Sequence, residues 1–486
     1  MTARVGTWRY LAGRFAVRHK LPLAMASAVI VTLAAGMVMV EQQRRVAVAE
    51  RARAERHFAS VRKLANSFMF DVHGEIENLP GSLKAREMLV KTSLEYLDTL
   101  AGEASDDPAL LYELAAAYRK IGNIQGEIGG PNTGNLSAAR ANFEKGKRLF
   151  VALDALRPND AAILREHERL SDSLARSYLA NSDSRWKAEI ASTVSLAGRI
   201  ASLPEATLRD RAHEAAILAE QANLTSISLG PSPGVDASIA RAVAMVEALA
   251  AQDPGDRAVL EAQATTYGRA ASAYSGDVSA DSTRTSLEFN RKSLAAVEKI
   301  LAGKPDDQRW LKFRTGALVE RAGGLNHAGR HAEAVEAIRE ALKNNAELFA
   351  RDPKNVELAI DRVLVLNIAA LTAYRGGDHL EAVRFGREVI AQGARISQKT
   401  LPVRSNVAES KALVSAALLA MAEAPAVERT KRLAMLTEAR SLVAESLAFH
   451  DEIRKVYPGA WSESIVTEIK GVAKRCDEAL AKLARS

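Results

Sequence analysis

Residues 328–342 read AGRHAEAVEAIREAL, and residues 370–385 read ALTAYRGGDHLEAVRF. In the first, Ala334, Val335, Ile338 and Leu342 return at intervals of one to four, which sets them along one stripe of an α-helix. In the second, Tyr374 is followed by Gly376, Gly377 and Asp378, and then by Glu-Ala-Val at 381–383. Glycine lets the chain turn and aspartate caps a new helix, so this order predicts a helix, a tight break and a second helix. Pro353 follows the first stretch and Pro402 the second.

Those prolines belong to a series. Pro108, Pro158, Pro204, Pro254, Pro305, Pro353 and Pro402 are separated by 50, 46, 50, 51, 48 and 49 residues. Proline lacks the amide donor and clashes with the preceding turn, so each one stops a helix. An Asp or Asn follows several of them, as in Pro158-Asn159-Asp160, Pro254-Gly255-Asp256 and Pro305-Asp306-Asp307, and can cap the next helix. Further breaks fall between them at Gly129-Gly130-Pro131, Asn181-Ser182-Asp183, Gly230-Pro231, Ser275-Gly276-Asp277, Gly329 and Gly376-Gly377. Each unit of about 49 residues therefore holds two helices, the signature of a helical solenoid.

Composition agrees. Hydrophobic residues make up 48% and charged residues 26%, which excludes a disordered or collagen-like chain. Aromatics are only 5%, so the core must be built from small and aliphatic side chains, which suits packed helices better than a sheet. The single cysteine, Cys476, excludes an intramolecular disulfide and a Cys-rich zinc site; its place on a final helix reads as structural.

The two opening stretches resemble tetratricopeptide repeats, in which a small residue lets two antiparallel helices approach and a proline closes the unit. The period here is longer than the usual 34. The resemblance implies an all-α, right-handed solenoid of elongated helix pairs. The expected organisation is a short basic tail (1–20), a membrane helix (21–40), a juxtamembrane helix and first helical segment (41–105), about six helix pairs (106–402) and capping helices (403–486).

Leu21 to Val40, LPLAMASAVIVTLAAGMVMV, carries no charge. Twenty residues at about 1.5 Å each reach about 30 Å, the thickness of a bilayer core. A cleaved signal peptide is the rival reading, with an Ala-x-Ala site at Ala47 to Ala49. Five Lys and Arg precede the span and five lie in residues 41–60, so the cation count alone nearly ties. A basic N-terminal tail facing the cytoplasm is the usual arrangement, and it puts residues 41–486 in the periplasm, anchored in the inner membrane by a single pass. The juxtamembrane helix offers a homodimer contact.

The stretch Arg53 to Leu100 carries a second resemblance. Its elements are Val61-Arg62-Lys63-Leu64-Ala65-Asn66, Phe68 to His73, Leu79-Pro80-Gly81-Ser82, Ala85-Arg86-Glu87 and Leu94-Glu95-Tyr96-Leu97, followed by LAAAYRKIGNIQG at 114–126. These resemble the segment just outside the membrane in bacterial transmembrane serine/threonine kinases that end in tetratricopeptide repeats. Twenty residues precede the apolar span, and no Gly-rich phosphate loop, Val-Ala-Ile-Lys, His-Arg-Asp or Asp-Phe-Gly is present, so kinase activity is not implied.

Chemistry-bearing motifs are sparse. His327 and His331 stand at i, i+4, but Gly329 lies between them and no His-Glu-x-x-His occurs, so two turn residues are the better reading than a metal site. His213-Glu214 reads as a solvated face. Lys and Arg alternate with Asp and Glu, as in REHER at 165–169, which reads as a solvated exterior and argues against nucleic acid. No cofactor or metal is expected.

Tyr118, Tyr178, Tyr274 and Tyr374 each come near the end of a Leu/Ala-rich helix, before a mid-unit break. Packing against the partner helix is their first expected role. With Arg119, Asn181 and Arg375 they are also the candidates to line an inner groove and hold a peptide. The expected function is a membrane-tethered, non-catalytic scaffold or sensor-like module binding a protein or peptide on its concave surface. The alternative is an accessory subunit that pairs with a separate kinase through residues 21–100.

Overall fold

The computed structural model describes residues 8–76 (side chains only through 50), isolated positions between 85 and 95, and residues 107–126, 135–180, 183–277, 279–351, 353, 356–396, 401–456 and 463–485. Every regular element among them is an α-helix. They divide into two units, Met1–Gly74 and Glu75–Ser486.

The first unit holds α1 (Trp8–Arg18) and α2 (Lys20–Ile76). Leu21, Met25, Val29, Ile30, Val31 and Leu33 are all more than half exposed. An apolar surface on every side of a helix is stable only where the solvent is not water. Lys20–Glu50 is long and apolar enough to cross a membrane, and none of it is buried in the protein. A signal sequence has the same length and composition.

The second unit is a stack of antiparallel helix pairs. Its inner helices are α3 (Pro108–Gly126), α5 (Ala161–Ala180), α7 (Leu208–Leu229), α9 (Arg257–Ser275), α11 (Gln308–His327), α13 (Val356–Arg375) and α15 (Leu401–Ala422). They begin 53, 47, 49, 51, 48 and 45 residues apart. The outer partners are α4 (Leu136–Leu156), α6 (Trp186–Ala201), α8 (Pro233–Gln252), α10 (Ala280–Gly303), α12 (His331–Arg351), α14 (His379–Arg395) and α16 (Arg429–Val456). A last helix, α17 (Glu463–Arg485), packs on α15 and α16. It turns Val466, Ile469, Ala473 and Cys476 inward. The expected boundary at 402 falls in the first turn of α15.

Successive inner helices touch at α3–α5, α7–α9, α9–α11, α11–α13 and α13–α15, whereas successive outer helices make no comparable approach. The outer layer is thus spread and the inner layer drawn together, which makes the inner face concave.

The proline breaks work as the sequence predicts. Two residues after Pro158, Pro254 and Pro305, the carboxylates of Asp160, Asp256 and Asp307 accept hydrogen bonds from backbone N–H groups of Ile163, Val259 and Trp310, at 3.3, 3.0 and 3.4 Å. After Pro204, Thr207 and Asp210 form a reciprocal capping box. Gly329 and Gly377 take the left-handed conformation between paired helices, with φ of 71° and 82°. The predicted breaks at 129–131 and 181–182 lie outside the described residues.

Close packing comes from alanine. Ala139, Ala175, Ala215, Ala264, Ala322, Ala382 and Ala417 are wholly buried, and Phe143, Phe150 and Trp310 fill the wider gaps. Cys476 is also wholly buried, among Leu418, Leu436 and Ala439, and burial pushes its thiol pKa up, so it is a structural and unreactive residue. At Gly146 a Cβ would stand 2.6 Å from Leu170 Cδ1 and 3.1 Å from the Ala115 carbonyl oxygen. Gly146→Val is therefore expected to cost about 2–3 kcal/mol through overpacking. Gly323→Ala, where a Cβ meets open space, is expected to gain about 0.5–1 kcal/mol through helix propensity. Thermal melts of the two variants should shift in opposite directions.

Ion pairs repeat the period of the fold. Arg199–Asp154, Arg165–Asp210, Lys292–Glu247, Lys312–Asp361 and Arg404–Glu452 join residues 45 to 49 apart. The first four tie a helix to its equivalent in the next unit, and Arg404–Glu452 ties α15 to its own partner α16.

Candidate functional site

The inner faces of α5, α7, α9, α11 and α13, with small contributions from the outer helices, enclose a continuous groove of about 1260 Å³. The helix pairing makes these five helices run in the same direction, so equivalent turns of each lie side by side across the groove.

Near the N-terminal ends, Arg165 on α5 donates two hydrogen bonds to Asp210 on α7, at 2.9 and 2.8 Å. These bonds, with those from Thr207, hold the Asp210 carboxyl far below its ordinary range. One turn further, His213 Nε2 lies 3.1 Å from Glu168 Oε1. Burial works against the charged imidazole, but the bond to Glu168 outweighs it and raises the His213 pKa. On the other flank of α5, Glu166 sits between Arg119 of α3, at 2.7 Å, and Arg169, at 2.5 Å.

A deeper row crosses four helices. Arg176 on α5 pairs with Asp172 at 3.0 Å and with Glu220 on α7 at 2.8 Å. Glu220 pairs in turn with Arg269 on α9 at 2.5 Å. Burial raises the Glu220 pKa, but the two arginines more than offset it. The row then reaches Glu320 on α11, where Asn290, Ser272 and Arg269 favour the charge and burial opposes it more strongly, pushing the pKa up to about 7. Towards the far end, Lys312 on α11 pairs with Asp361 on α13 at 3.2 Å, and burial still leaves the Asp361 pKa raised. Arg176, Glu220, Arg269 and Glu320 thus alternate in sign along the row; the last three hold equivalent positions relative to the caps Thr207, Asp256 and Asp307, and Arg176 stands about one turn further along its helix.

The tyrosines face the other way. Tyr118 is buried, with Lys145 of α4 over its ring at 5.1 Å. Tyr178 is buried and donates to Glu144 of α4 at 2.9 Å, with Arg185 over its ring at 4.3 Å. Tyr274 donates to Asp236 of α8 at 2.7 Å and stacks on Phe289 of α10. Tyr374 tilts against His379 and packs on the core around Leu418. All four contact outer helices or the loops that lead into them, the packing role expected of them. Arg119 is spent on Glu166. Arg375 ends α13, and Asn181 lies outside the described residues. None of the described ones lines the groove.

The groove-lining residues carry a different expectation from sequence. In REHER, His167 and Glu168 are 5% and 3% exposed, so that stretch is groove floor and core, not a solvated exterior. His213 likewise belongs to the groove. The signal that could have found them is the recurrence of charge at one helical position in successive units. His327 and His331 flank the Gly329 turn, His331 facing Asn326 at 3.4 Å. Among the described residues no group of three or more His, Cys, Asp and Glu is arranged to hold a metal ion.

These features define an all-α helical-repeat protein with a charged inner groove. No family model matches the chain, and no curated protein matches it. Similar solved structures include a tetratricopeptide repeat protein from Parabacteroides merdae ATCC 43184, at 15% identity over 71% of this chain and 93% of that one, with a TM-score of 0.31. Yeast Tom70 is similar at 11% identity, 86% and 96% coverage and a TM-score of 0.18. The P58(IPK) TPR domain is similar at 12% identity, 83% and 99% coverage and a TM-score of 0.19. With superposition this low, the fold assignment rests on the helix pairs themselves.

Proposed function

We propose that the second unit is a non-catalytic docking module that holds a segment of a protein partner in the groove, and that α2 tethers it to a membrane. The observation that carries this is the unbroken groove across five inner helices. Its polar floor is fixed by ion pairs between repeats, so a partner would meet a pre-formed surface. The exposed apolar surface of Lys20–Glu50 supports the tether. The resemblance of residues 53–126 to the periplasmic part of repeat-bearing kinases supports placing the second unit in the periplasm.

One experiment tests both parts. Thr265 lines the groove and Lys299 is exposed on outer helix α10; Cys476 is buried and does not compete for reagent. Spheroplasts carrying Thr265→Cys or Lys299→Cys are treated with a membrane-impermeant maleimide–benzophenone and irradiated. Both variants are expected to take the label, and only the groove variant to give a discrete cross-linked product. No labelling would overturn the periplasmic placement. Identical products from both positions would overturn the groove.

A further inference from the structure

We propose that Glu320 and the bare stretch of α11 around it form a recognition site for a cationic side chain, a lysine or arginine, of the partner segment. The inference rests on reading the groove as a partner site and names the chemistry it selects.

Three observations converge on this position. The buried charge row runs Asp172, Arg176, Glu220, Arg269, Glu320, three acids to two arginines, and it begins and ends on an acid. At the next equivalent position, on α13, stands Ile368, and among the described residues Arg269, on the α9 side, is the cation that acts on Glu320. Gly316 and Gly323 lie four residues before and three after Glu320, on the same face of α11, and both line the groove. A Cβ at either would meet nothing within 4 Å. A partner chain can therefore lie against the α11 backbone and bring a terminal ammonium or guanidinium to the carboxylate, in the geometry that makes charge-assisted hydrogen bonds strong.

The other groups around Glu320 shape the response to pH. Arg269 and Ser272 face it from α9 and Asn290 from α10. The Lys312–Asp361 pair lies two turns back along α11, and His327 two turns forward, exposed at the helix end. Lys312 is held by Asp361, and His327 has its pKa lowered by burial and by Arg375. Glu320 changes its ionisation within the pH 6 to 8 interval, and a cation bound to it would hold it ionised; His213 on α7, whose pKa the bond to Glu168 raises, also lines the groove, and the Glu320→Gln variant separates its contribution from that of Glu320.

The test uses the full chain in zwitterionic nanodiscs and a fluorescein-labelled tetralysine peptide read by anisotropy at fixed ionic strength. At pH 8, Glu320→Gln is expected to weaken binding about tenfold. Glu336→Gln, on the exposed face of outer helix α12, is expected to leave it unchanged. Between pH 8 and 6 the wild type should lose affinity by a similar factor and the Glu320→Gln variant should not. Equal binding by wild type and Glu320→Gln, with both showing the same helical circular dichroism, would overturn the assignment. A groove cross-link at Thr265→Cys together with that equality would sink this site and leave the docking function standing. Loss of the groove cross-link would remove the function itself.

Discussion

Glu220→Ala is expected to lower the stability of the central repeats by about 3 kcal/mol. Glu220 is 3% exposed and neutralises two arginines on neighbouring inner helices, Arg176 and Arg269. Removing it leaves both cations in a partly buried row, with only Asp172 and Glu320 as nearby acids. Breaking a buried pair in this way typically costs about 3–5 kcal/mol. The lower end applies because both arginines keep some access to groove water. A repeat array need not unfold in one step, so the right observable is local. Hydrogen exchange should speed up in α7 and α9 and stay unchanged in α15 and α16. Uniform protection across all of them would show that the row contributes nothing.

Glu320→Gln should do the opposite. The folded protein holds this carboxyl near pH 7, against 4.5 for an ordinary glutamate, and burial is the main reason. A group whose pKa is raised on folding favours the folded state below its unfolded value and loses that contribution as pH climbs through the folded value. Wild-type stability should therefore fall between about pH 4.5 and 7. Glutamine keeps the shape and does not titrate. The variant is expected to be about 2–3 kcal/mol more stable than wild type at pH 8, with the gap closing by pH 4.5. Denaturant curves at the two pH values measure this directly. A gap that does not change with pH would mean that the carboxyl is not held neutral by its surroundings. A residue that costs stability and is aimed into a groove is what a binding role would maintain.

The repeat architecture was legible because its punctuation is chemical. Proline cannot continue a helix, and the carboxylate two residues later caps the next one, so Pro158–Asp160, Pro254–Asp256 and Pro305–Asp307 announce themselves. Outer helices were legible too. In α14, Ala382, Val383, Gly386 and Val389 are buried at helical spacing. Inner helices were not, for a geometric reason. Each after the first packs against its own partner, against the outer helix before it and, in most cases, against a neighbouring inner helix, so burial wraps round it. Ala215 to Glu220 on α7 are six consecutive buried residues. A period of 3.6 disappears when three faces are covered, and with it goes the means of telling which face is free.

That loss explains why the groove lining was not legible in the sequence. The tyrosines stood out by their place before the breaks, but they face outward. The charges at 176, 220, 269 and 320 looked like ordinary surface because each carries an opposite charge nearby in sequence or in the next unit. Only the register between units reveals that they form one row.

The ion pairs that reach one unit ahead and no further carry a mechanical meaning. Load applied along the array passes from one hairpin to the next, with no brace that skips a step. Such a body gives way link by link, like a chain with many modest joints, and an injury at one joint leaves the distant ones intact.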